Sequence, residues 1–274
     1  MSIAPPRYAA APVPRVGRSG RTWAIFVREL GACAGWGTYL VVAFAYLTTL
    51  AVLLLSVELA PPGAVSLATF YQPLSGDLWP LEILLVAAVV GSGSIAEDLG
   101  SRSITMYLSR PIHLEDYLTG KAAGVAFWVA LVAFGPGVVG CIVAATLGGA
   151  SATLALSALV RFLLVGLLAT FFFASLALAL SAWAGRALYA GVAVLGLVLA
   201  LQISISVIAG ITGNPQVPYL APITDLRSVG QGLFLYQPAT ATEPVVSAVL
   251  LGAAAFGLLL ATWSRLVRVE VVGE

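Results

Sequence analysis

The chain has 274 residues, 60% of them hydrophobic and 9% charged, with a formal net charge of +1 and a mean hydropathy of +1.02. Soluble domains carry about a quarter charged residues, so a soluble fold of this size would lack the polar surface to cover itself, and the near-zero total points to no nucleic acid or acidic partner. The composition suits an all-α, polytopic integral membrane protein whose apolar side chains face lipid.

Residues 1–20 are rich in Pro, Ala and Arg and lack the apolar core of a signal peptide. They predict a disordered cytoplasmic tail, with the first span acting as an uncleaved anchor. In Arg21 to Leu30, Trp23, Phe26, Val27 and Leu30 recur at helical spacing among Arg21, Arg28 and Glu29. That pattern predicts an amphipathic interfacial helix on the inner membrane surface, the alternative being an extension of the first span.

A span needs about 20 apolar residues. The first covers 36–59 and ends at Pro61-Pro62. The second covers 78–96, with Glu82 a turn inside its outer end and within reach of headgroups. Residues 122–160 are free of charge, too long a run for one span, and Gly148-Gly149 divides them. The third span is then 122–147 and the fourth 153–183. Arg161 lies about 33 Å of helix from Trp183, which puts it at the outer interface. The fifth span covers 187–210 and the sixth 244–264. Outer segments run from Ala60 to Asp77 and from Ile211 to Glu243. The longer one holds Pro215, Pro218, Pro222 and Pro238 with Tyr219, Phe234 and Tyr236, and has room for short re-entrant or surface helices. The C-terminal stretch ends on the inner surface, with Arg265 and Arg268 near phosphates.

Basic residues set the orientation. With the N-terminus inside, Arg7, Arg15, Arg18, Arg21, Arg28, Arg102, Arg110, Lys121, Arg186, Arg265 and Arg268 are internal, and only Arg161 and Arg227 are external. Six spans with both termini cytoplasmic is the parity that gives this bias. The pairs Gly31/Gly35 and Gly120/Gly124 sit at span ends, where close helix packing or a dimer contact would each explain them.

Absences remove several chemistries. No ionisable side chain falls clearly at mid-membrane by span position, which weakens an ion-coupled pump. One histidine, two cysteines and two methionines make no haem or transition-metal site. Cys33 and Cys141 read as small buried hydrophobes. The run Gly91 to Ser94 has no histidine in any span to activate a serine, and reads as small residues easing helix packing. Gly120-Lys121 has Glu115 and Ala122 where a P-loop needs glycine and a hydroxyl, so the chain is not an ATPase enzyme by that motif. No cofactor is expected to bind it.

The densest charge lies between spans two and three, in Glu97 to Lys121, with acids Glu97, Asp98, Glu115 and Asp116 and bases Arg102, Arg110 and Lys121. Gly100-Ser101 can start a short helix with Ser101 as N-cap, and Pro111 stops it at Arg110. Ile104, Tyr107 and Leu108 share one face. Such a helix is too short to stand alone in water, so it docks either on the bilayer or on a cytoplasmic partner. Lys121 then anchors the start of the third span at the membrane surface.

These residues resemble the permease subunits of ABC-2 type ABC transporters, including the subfamily of the nitrous-oxide-reductase maturation permease. The resemblance rests on Glu97, Gly100-Ser101, the run Tyr107 to Ile112 and Gly120-Lys121, with Gly-Ser where Gly-Thr is commoner. It extends to the layout of a surface helix, six spans and a long last outer loop, so that 21–274 forms one ABC-2 type transmembrane domain. It implies a coupling helix seated on a separate ATP-binding subunit, which would hold ATP and Mg. Ile104, Tyr107 and Leu108 would fill its groove, Arg102 and Arg110 would give rim contacts, and Glu97 would tie the inner end of the second span to a neighbour. A second permease subunit, identical or related, would complete the unit in a prokaryotic cell membrane, and export is the expected direction. A secondary transporter or channel, and a non-transporting membrane anchor or assembly subunit, are the competing functions. Substrate is not legible, and the few sulfur and imidazole ligands give copper no support.

Overall fold

Inside a bilayer a backbone must satisfy its own hydrogen bonds, and helices do so without a partner chain. The computed structural model describes residues 17–61, 64–101, 113–146, 149–235 and 243–272, and regular structure among them is helical throughout. The order is α1 (Arg18–Cys33), α2 (Trp36–Glu58), α3 (Leu67–Ser75), α4 (Leu78–Gly100), α5 (Leu114–Ala133), α6 (Gly135–Thr146), α7 (Ala152–Trp183), α8 (Ala187–Thr212), a 3-10 turn (Val217–Leu220), α9 (Pro222–Leu235) and α10 (Pro244–Val272). Six units are long and apolar enough to span: α2, α4, α5 with α6, α7, α8 and α10.

Burial sorts the spans. In α2 only Thr38, Val42, Ala45, Thr49, Leu53 and Val57 are buried, a single stripe at helical spacing whose other sides face lipid. By contrast α4 and α7 are buried on most sides and pack on each other. Gly91 seats Ala177 at their crossing. Beside it Ser181 Oγ accepts from the backbone N–H groups of Ile95 (3.0 Å) and Ala96 (2.9 Å) and donates to Ser92 O (2.8 Å). The small residues Gly91 to Ser94 thus serve helix packing, as their composition suggests.

The third span bends. Pro136 lacks an N–H to bond back into the preceding turn, and the helix restarts at Gly135. Beyond the bend, small residues again allow close approach: Gly137 faces the Phe162 ring and Gly140 faces Leu53. The turn between α6 and α7 uses Gly149 at φ +68°, which glycine adopts without strain. Ser151 then caps α7 by accepting from Leu154 N at 3.3 Å.

Helix ends differ from the sequence expectation in informative ways. The first helix begins at Arg18, inside the stretch expected to be tail, while residues 1–16 lie outside the described set. Its buried face is Ile25 and Glu29, whereas Trp23 and Val27 are exposed, so part of the apolar stripe faces outward. The cause is α5: a Cβ on Gly120 would come within 2.7 Å of Ile25, and one on Gly124 within 2.6 Å of Glu29 Cγ. Gly120/Gly124 is therefore a contact within the chain, while Gly31 and Gly35 face open space.

Two short helices cover the end of the bundle opposite α1. Between α2 and α4, α3 buries Phe70, Tyr71 and Leu74, and the 3-10 turn and α9 follow α8. As a result α4 starts short of the end of α2. Glu82 does not reach headgroups: it is 5% exposed and accepts from Thr49 Oγ1 at 2.5 Å. Thr49 sits about 13 Å of helix below Glu58, close to the middle of α2.

Packing at Gly124 gives a direct test. Gly124→Val should push α1 off α5 and cost about 1–3 kcal/mol, as overpacked cores do. Gly31→Ala, in open space, should leave stability unchanged or raise it slightly. Thermal unfolding in detergent compares the two.

Candidate functional site

The charged residues around the loop between α4 and α5 converge at the basic end of the bundle. The last two turns of α4 supply Ser94 and Asp98. The first two turns of α5 supply Asp116, Tyr117 and Lys121, and α1 supplies Arg21, Glu29 and Cys33. Lys121 is buried within the bundle. Its helix begins at Leu114, so the side chain enters the bundle about 10 Å along α5 and is 8% exposed.

There Nζ meets Glu29 Oε2 at 2.6 Å and Asp98 Oδ2 at 2.9 Å, and donates to Ser94 O at 2.6 Å. An ammonium has three protons, and these three acceptors match them. Tyr117 Oη donates to Asp98 Oδ2 at 2.9 Å, and Arg21 Nη2 lies 3.5 Å from Asp116 Oδ2. Glu29, Asp98 and Asp116 are all under 9% exposed. Charges removed from water this far persist only when paired.

Cys33 borders the same cluster, 3.8 Å from Glu29 Oε1 and 3.5 Å from Val90 O. Burial, reinforced by the Glu29 carboxylate, pushes its thiol up to about 12. It is a neutral thiol at working pH, poor as a nucleophile or metal ligand, and both cysteines are free. A polar crevice of about 240 Å³ opens beside the cluster, reaching Arg28, Glu29, Cys33, Glu97 and Lys121. Among the described residues no three of His, Cys, Asp and Glu gather in a way that could hold a metal ion.

The cluster is a tie between helices. It joins both feet of the 102–112 segment, Asp98 before it and Tyr117 and Lys121 after it, and fastens them to α1. Of the residues expected at the site, Glu97 is exposed. The inward tie falls instead to its neighbour Asp98. Gly100 ends α4 against the turn between α7 and α8, 3.6 Å from Gly185 O for an added Cβ. Ser101 is the C-cap of α4, and its hydroxyl donates to Glu97 O at 2.7 Å. Arg102, Ile104, Tyr107, Leu108, Arg110 and Pro111 lie outside the described residues. Sequence reasoning missed Glu29, Asp98, Tyr117 and Lys121 as one unit. The available signal was two acids and a lysine, one on each of α1, α4 and α5 at their shared end.

The far end carries a second polar set. Arg227 of α9 pairs with Asp77 at 2.9 Å, and Tyr71 Oη donates to Arg227 O at 3.4 Å. Arg161 Nη1 donates to Leu233 O, placing a cation on the last turn of α9. Asp225, 2% exposed, accepts from Ser247 Oγ of α10 at 2.7 Å. Burial raises its carboxyl to about 7, the Ser247 hydrogen bond opposing.

Six apolar spans, with a charged cluster fastening the feet of one polar loop, define a multi-pass helical membrane protein of the transport class. A family model described as ABC-2 family transporter protein matches residues 77–270, more than two thirds of the chain, and the chain belongs to that family. It is the membrane subunit of an ABC transporter, and membership implies an ATP-binding subunit as its partner. No curated protein matches the chain. The family match begins at the N-cap of α4, so the Lys121 cluster reaches out of the matched region to Glu29 of α1.

Two outcomes test the site. Lys121→Met leaves Glu29 and Asp98 buried without their cation and should cost about 3–5 kcal/mol. Adding Glu29→Gln and Asp98→Asn should recover most of that loss in the same unfolding assay. For Asp225 the folded state holds the proton more tightly than the unfolded chain. Its contribution is therefore full below the ordinary carboxyl range and is lost as pH rises through about 7. Asp225→Asn should flatten that fall in unfolding temperature between pH 5 and about pH 8.

Proposed function

We propose that this membrane subunit is the permease half of an exporter in a prokaryotic cell membrane, driven by ATP hydrolysis in a separate subunit. Two permease subunits, identical or related, pair with two ATP-binding subunits. The ATPase contacts the segment 101–110, with Ile104, Tyr107 and Leu108 in its groove and Arg102 and Arg110 at the rim. Rim charges of this kind set orientation more than affinity. The basic end faces the cytoplasm, where its arginines and Lys121 satisfy the positive-inside bias. Within the family, the resemblance of the run from Tyr107 to Ile112 supports a relation to the nitrous-oxide-reductase maturation permeases.

The observation that carries this reading is the Lys121 cluster. A loop that only joined two spans would need no buried tie between its feet. Here a push on the segment moves Asp98 and Lys121 together, and through them α1 and α4. Because α4 lies against α7 along its length, the displacement reaches the centre of the bundle rather than bending a free loop.

Ile104→Asp with Tyr107→Asp should abolish co-purification of the cognate ATPase and its stimulation by the membrane subunit. Unchanged assembly and stimulation would sink the docking role. Asp98→Asn with Lys121→Met should leave the ATPase bound but reduce its stimulation, since the docking face is intact and its mounting is not.

A further inference from the structure

One ionisable group plays no part in the basic end or in its proposed coupling. Glu82 of α4 lies about 24 Å of helix from Asp98, and its side chain points at α2, near the middle of that span. One carboxylate oxygen accepts from Thr49 Oγ1, and the other, Oε1, is buried with no hydrogen-bond partner. A void of about 20 Å³, the size of a single water, lies beside it between Thr48, Thr49, Val52, Pro73, Leu78 and Trp79.

The charges around it are all engaged elsewhere. On α2, Thr48 and Thr49 are the polar neighbours, and Thr48 Oγ1 donates to Phe44 O. From the α3 side, Tyr71 bonds to Arg227 O. At the start of α4, Asp77 pairs with Arg227 of α9 in an exposed ion pair. On α7, Arg161 is held on Leu233 O. The described part of α8 has no charged residue. Among the described residues no charged group acts on Glu82. An ionised carboxylate here would be a bare charge in an apolar wall, with half its acceptor sites empty. The uncharged acid is compatible with that wall, because Oε1 carries the proton and Oε2 keeps the Thr49 bond.

We propose that Glu82 is a proton-binding site of the membrane domain, uncharged while α2 and α4 are in contact and ionised when they part. Closing the contact takes one proton from the aqueous phase at the far end, COO⁻ + H⁺ → COOH, and opening returns it. Thr49 is the positioning residue that holds the carboxyl in the closed state. Trp79, 2% exposed, and Pro73 wall the site off from lipid.

The test uses the full chain in lipid nanodiscs and a hydrophobic carbodiimide, which modifies protonated carboxyls inside membranes. Peptide mapping should find the adduct on Glu82. Its yield should fall less steeply between pH 6 and pH 8 than that of an ordinary carboxyl, which loses about a hundredfold of its protonated fraction over those two units. Thr49→Lys puts an ammonium beside the carboxyl and should abolish the adduct. Glu82→Gln should remove one protonated-acid carbonyl band from the infrared spectrum at pH 8. A wild-type Glu82 left unmodified while Asp225 is modified at pH 6, or an unchanged infrared band in Glu82→Gln, overturns the proposal. Should either variant fail to fold, the pH dependence of the wild-type adduct decides alone.

Discussion

An ammonium buried in an apolar bundle must place three protons, and the way Lys121 places them constrains the whole basic end. One proton goes to α1 through Glu29, one to the Asp98 carboxylate of α4, and one to the backbone of α4 at Ser94. None of these acceptors can be given up without leaving a charge in low dielectric. The position of α1 follows from this. Gly120 and Gly124 lie on the same helix as Lys121, and their missing side chains let α1 come close enough for Glu29 to arrive. A helix that composition would place on the membrane surface is instead part of the packed structure along one face, with Trp23 and Val27 left outward for lipid.

A second constraint acts across the centre. Because lipid tails are as apolar as leucine, burial drives helices together only weakly in a bilayer, and close packing and interhelical hydrogen bonds matter more. The α4–α7 crossing shows both. Gly91 admits Ala177, and the Ser181 hydroxyl takes two backbone N–H groups of α4 while giving its own proton to Ser92 O. This joint sits one turn from Ser94, so α7 and Lys121 hold the same stretch of α4 from two sides. The basic end is thereby built as one piece, and α2 and α8, each buried along a single stripe, lie at its periphery.

Most of the architecture was legible because the spans are long and apolar, and punctuation such as Gly148-Gly149 has a local physical reason. The ends were less legible. Lys121 marks the start of an apolar run, and its charge suggested the water interface. The helix that carries it starts seven residues earlier, and only that start puts Lys121 inside. The same kind of error applies to Glu82 at the other end of the bundle. It stands a turn inside α4, but α4 itself begins below the end of α2, since α3 folds back over it. Depth in a bundle depends on how helices are staggered against each other, and hydropathy along one chain does not contain that stagger. For the segment expected to dock on a partner, Glu97, Gly100 and Ser101 are described. They mark the end of α4.

The two buried acids of α4 give that helix a particular character. Asp98, at its basic end, is compensated by a lysine and a tyrosine and tied to neighbouring helices. Glu82, toward its far end, has one hydroxyl and no cation. Strong compensation at one end makes a rigid mounting, because any shift of Asp98 relative to Lys121 exposes two charges at once. Weak compensation at the other makes a contact that can be made and broken at modest cost, a single hydrogen bond between α2 and α4. Because α4 is packed on most of its faces, the difference between its two acids is one of electrostatic compensation, and the weakly compensated one lies at the far end. On this chain that end is covered by α3 and α9, whose own contacts to α4 and α10 run through exposed Asp77 and buried Asp225. Any parting of α2 from α4 at Glu82 therefore has to displace α3, which packs on α2 and on α9.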